Sequence, residues 1–115
     1  MTLLEQTYED MRTAMEAAGY RVTLESSKAQ KDYWPRAIIA YYLYKCGWTN
    51  RDGWTNIHGW TNANIGKLIA RHHSTVTSMR QRVQDALDLP AHYDDVTDII
   101  ANFKKQYHEL FQRDL

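Results

Sequence analysis

The 115-residue chain has one cysteine, two prolines, two phenylalanines and no net charge. Each shortage excludes something. A lone Cys46 cannot form an intramolecular disulfide, so the fold rests on its core, and nothing in it argues against a reducing cytosol. The longest apolar run, residues 37–44, is far too short to cross a bilayer. The N-terminal Met1-Thr2-Leu3-Leu4-Glu5 lacks the basic start and apolar stretch of a secretion signal. A single cytoplasmic domain spanning residues 1–115 is expected, with one modest core. No Gly-x-x-x-x-Gly-Lys-Ser/Thr occurs, which excludes a P-loop ATPase. Cys46, His58, His72 and His73 lack the paired spacing of a zinc site. A nuclease built on His72-His73 would lack nearby acidic metal ligands. Asp94, Asp95 and Asp98 read instead as residues favoured at a helix start. No catalysis, cofactor or metal is expected.

Neutrality conceals a segregation of charge. Residues 1–27 sum to −3 and residues 83–115 to −4, whereas residues 28–82 hold nine basic against two acidic side chains, +7. A basic centre between acidic flanks is the distribution expected for phosphate contact.

The apolar spacing predicts an all-α fold of about five to six helices. Thr2-x-x-Glu5 is a capping box, followed by the stripe Leu4, Tyr8, Met11 and Met15, with Gly19 ending the helix. Val22 to Leu24 reads as an extended connection, and Ser27-x-x-Gln30 as a cap for a short turn. Pro35 suits the first position of a helix to about Cys46 that buries Ile38, Ile39, Tyr42 and Leu43. A short helix over 62–69 carries Ile65 and Ile69 inward. After a tight turn from Ala70 to His72, a helix over 73–87 buries Val76, Met79 and Val83, and Pro90 stops it. A last helix from about Asp94 buries Val96, Ile99, Ile100, Phe103, Tyr107 and Leu110.

One segment breaks this pattern. Gly-Trp-Thr-Asn recurs at 47–50, 53–56 and 59–62, and residues 47–62 are expected to form a loop insertion made by tandem duplication. Three copies cannot build a core of their own. Trp48, Trp54 and Trp60 are therefore read as a tolerated surface insertion, as a contact surface for a protein partner or self-association, or as rings tucked against Tyr41, Tyr42 and Tyr44.

The pair of helices around Ile65-Gly66 and Arg71-His72-His73-Ser74-Thr75-Val76 reads as a helix-turn-helix. This stretch resembles the C-terminal DNA-binding domain of the bacterial replication initiator DnaA. That family shows Ile-Gly, a short spacer and Arg-Asp-His-Thr-Thr-Val. Trp34-Pro35-Arg36 is similar to its Arg-Pro-Arg, and the likeness runs from residue 33 through Tyr107. It implies a sequence-specific binder of double-stranded DNA without the ATPase module, suited to a phage, mobile-element or bacterial regulator of replication or transcription.

By that resemblance Arg71, His72, His73 and Ser74 read bases in the major groove and Thr75 holds a phosphate. Lys28, eight residues before Arg36, enters the minor groove. Lys31, Arg36, Lys67 and Arg80 are candidate phosphate clamps. The chain departs from the family at three places. His72 replaces an aspartate, Lys28 replaces an arginine, and the turn between Gly66 and Arg71 is one residue shorter. The alternative is a protein-interaction module on the same scaffold, using the tryptophan loop.

Overall fold

The computed structural model describes residues 1–24, 30–48 and 60–115, with the backbone alone for Gln30, Lys31 and Trp48. The fold is all-α: α1 (Leu3–Ala17), α2 (Gln30–Trp48), α3 (Asn62–Leu68), α4 (His73–Asp88) and α5 (Asp94–Phe111), with a 3-10 turn at Pro90–His92. Among the described residues no helix is long and apolar enough to cross a membrane.

The capping box at α1 forms as its residues dictate. Thr2 Oγ1 accepts the Glu5 N–H at 3.1 Å while the Glu5 carboxylate accepts from the Thr2 N–H. Gly19, at φ +96°, takes the left-handed turn that a side chain would resist. The segment 37–40 is buried at four successive positions, so α2 is apolar all round rather than along one stripe. That composition suits its place, since α2 packs against α1, α3, α4 and α5. Two helix pairs therefore share one central helix: α1 with α5, and α3 with α4.

Three expectations are corrected. Pro35 lies inside α2, not at its first position. Its ring fixes a φ compatible with a helix, at the cost of the backbone bond to the Lys31 carbonyl and of crowding against that carbonyl in the first turns. Leu110 is 48% exposed; Phe111, one residue on, packs its ring 5.3 Å from Tyr107 and takes the inward seat. The expected loop over 47–62 is shorter than the repeat. Helix α2 continues through Trp48, and Trp60 to Asn62 belong to the core and to α3. The cap expected at Ser27 falls outside the described residues.

Candidate nucleic-acid interface

The last Gly-Trp-Thr-Asn copy builds the start of α3. Thr61 is its N-cap, with Oγ1 accepting the Asn64 N–H at 3.2 Å. Trp60 precedes the cap and Ile65 is the fourth helical residue, the two positions of a hydrophobic staple; both are buried. Asn62 then reaches α4, donating to Thr77 Oγ1 at 3.0 Å and accepting from Arg80 at 3.1 Å. Trp60, at 6% exposure, is thus a core residue rather than exposed apolar area. Trp54 and the Trp48 side chain lie outside the described residues.

The elbow between α3 and α4 depends on one close approach. The Arg71 N–H donates to the Gly66 carbonyl at 2.8 Å, and a Cβ at Gly66 would collide with the Arg71 carbonyl oxygen. Ala70 takes φ 56°, in the left-handed region, to turn the chain. His72 then caps α4, its Nδ1 accepting the Ser74 N–H at 3.2 Å. The imidazole thereby does what a short acceptor side chain such as aspartate does at a helix start. Ser74 Oγ also lies 2.8 Å from the same nitrogen, and the His72 and His73 rings lie tilted at 36° with centroids 4.1 Å apart.

The sequence-predicted residues separate into exposed and engaged sets. His73, Ser74, Thr75 and Lys67 are exposed around the elbow. His72 is also exposed, yet one ring nitrogen is committed to the cap. Arg71 folds back: its guanidinium donates to the carbonyls of Leu24 (3.1 Å), Ala70 (2.9 Å) and Ile69 (3.4 Å). Arg80 lies 3.3 Å above the Tyr44 ring while bonded to Asn62. Lys28 and the Lys31 side chain lie outside the described residues.

Arg36 does not fit the role of a surface clamp. It is 4% exposed, and its Nη1 donates to the Thr23 carbonyl at 2.8 Å. Burial pushes its pKa down, the nearby Arg71 charge adds to this, and Asp32 one turn earlier opposes it. Arg36 and Arg71 therefore grip successive carbonyls, Thr23 and Leu24, of the connector between α1 and α2. Two motif arginines far apart in sequence brace one backbone segment. Replacing Arg71 by alanine is expected to cost about 1–2 kcal/mol through those charged hydrogen bonds, discounted for their partial exposure. Thermal unfolding checks this: an unchanged midpoint would mean the carbonyl contacts contribute nothing.

The outward stripe of α4 was less legible in the sequence. Ser74, Thr77, Ser78 and Gln81 are all exposed. Their i, i+3, i+4 and i+7 spacing is the polar complement of the buried Val76, Met79 and Val83. Thr77 and Ser78 donate their hydroxyls to carbonyls one turn back, His73 and Ser74; Thr77 also accepts from Asn62, so it keeps one acceptor lone pair and Ser78 keeps two.

An all-α domain with a helix-turn-helix connection at α3–α4 is what fold and site define. In comparisons with protein-family models, curated proteins and solved structures, nothing matches the chain.

Proposed function

We propose that the protein binds double-stranded DNA sequence-specifically, with α4 in the major groove and the elbow against the backbone. The observation that carries this reading is the polar stripe on α4, which faces away from the core beside an elbow bearing Lys67, His73 and Thr75. A helix fits the major groove, and hydroxyl, imidazole and amide groups are the partners base edges and phosphates accept. Charge distribution supports it: the acidic residues are concentrated in α1, the end of α4 and α5, whereas residues 28–82 carry the net positive charge. The resemblance to the DnaA C-terminal domain agrees with this reading. So does a regulatory role without ATPase or other catalysis, in a bacterial, phage or mobile-element setting.

A protein-docking module built on the tryptophan repeats is the weaker reading, because the one repeat tryptophan described, Trp60, is consumed by the core. The test is salt dependence. Each phosphate neutralised by a lysine or arginine should add about −0.9 to the slope of log duplex affinity against log salt, so affinity should fall steadily as salt is raised. Absence of binding to any duplex at about 50 mM salt, where screening is weak, would refute the proposal.

A further inference from the structure

We infer that Gln81 is a specificity-determining residue that reads an adenine, and that Asp85 sets the orientation of its amide. The inference rests on the DNA-binding reading above. The other long polar side chains in the middle of α4 each have a partner across the domain, Arg82 while exposed. Arg80 stacks on Tyr44, Arg82 lies 5.2 Å above the Tyr33 ring, and Gln84 accepts the Tyr41 hydroxyl at 2.9 Å. Gln81 instead stands on the outward stripe, one turn beyond Ser78 and about 10 Å along the helix axis from Ser74. That separation keeps it within the stretch of groove that the start of α4 would enter.

Its amide is engaged by its own helix. Gln81 Nε2 donates to Asp85 Oδ1 at 3.0 Å, which fixes which end of the amide is nitrogen. One N–H and the carbonyl oxygen are then left to face a base. A donor beside an acceptor is the complement of adenine N7 and its amino group in the major groove. The next outward residues are Asp85 and Asp88, whose carboxylates repel phosphates. The helix axis must leave the groove there, so Gln81 is the last reader along α4, beyond the elbow residues.

Selection from a random duplex library, run in parallel with wild type, Gln81→Ala and Asp85→Asn, tests this. Wild type should select an adenine at one position. Gln81→Ala should lose the preference there alone, bind the wild-type site about five- to a hundredfold more weakly, and keep an unchanged thermal midpoint. Asp85→Asn should broaden the same position while binding random duplex more tightly, since one negative charge is gone. Recovery of the wild-type site by Gln81→Ala, or equal weakening on every sequence, would overturn the inference and leave DNA binding standing. Failure of wild type to select any duplex would overturn both.

Discussion

Trp60→Ala is expected to lower the unfolding free energy by about 3–5 kcal/mol, the range for removing a large aromatic side chain from a core. The ring is buried ahead of the α3 cap, so the variant loses the staple as well as apolar contact at the start of α3. Trp60→Phe should recover most of the loss. Denaturant unfolding measures both, and a Trp60→Ala cost below about 1 kcal/mol would mean that the ring is not part of the core. The repeat offers a companion experiment. Deleting residues 48–59 gives the same sequence as deleting 51–62, and either leaves one Gly-Trp-Thr-Asn ahead of Ala63. Because that copy supplies the staple, the cap and the Asn62 bridge together, the shortened chain should retain its helical spectrum.

Gly66→Ala is expected to destabilise the domain by about 2–3 kcal/mol, and its sign is the informative part. In an unobstructed helix the substitution would stabilise by about 1 kcal/mol, because alanine is the better helix former. Here the added methyl meets the Arg71 carbonyl and also lies 3.5 Å from Val76 Cγ2. The elbow has little freedom to yield. Ala70 is already in the left-handed region, and the Arg71 side chain is tied to three carbonyls. Relief requires α4 to shift relative to α3, which would displace the polar stripe and weaken duplex binding at least about tenfold. Chemical denaturation and duplex titration of the variant check the two effects. A stabilised Gly66→Ala protein would show that the close approach is not maintained.

Apolar periodicity made most of the fold legible, because the buried faces of α1, α4 and α5 recur at helical spacing. It failed where that rule has no purchase. Helix α2 is buried at every position from Pro35 to Ala40, so its period carries no signal for where it begins, and Pro35 reads as a start. The shift from Leu110 to Phe111 is a one-residue choice at the end of a stripe, which periodicity does not resolve. At the site, residue type indicated which groups could meet DNA but not which were already engaged. Arg36 looks like a phosphate clamp and Arg71 like a base reader by type, yet backbone carbonyls of the α1–α2 connector hold both. His72 looks like a base reader and serves first as a cap. Trp60 looks like exposed apolar area and is core, because Thr61 behind it fits an N-cap. Gln81 carried a usable signal, its i+7 spacing from Ser74, which reading the helix start alone passes over.

The central claim is that the α3–α4 face, and no other, meets duplex DNA. Backbone amide chemical shifts recorded while the protein is titrated with a duplex at low salt test it most directly. Shifts should concentrate on residues 63–81, from α3 through the elbow to Gln81, with the acidic surfaces of α1 and α5 unmoved. No shifts at all, or shifts gathered on α1 and α5, would contradict it.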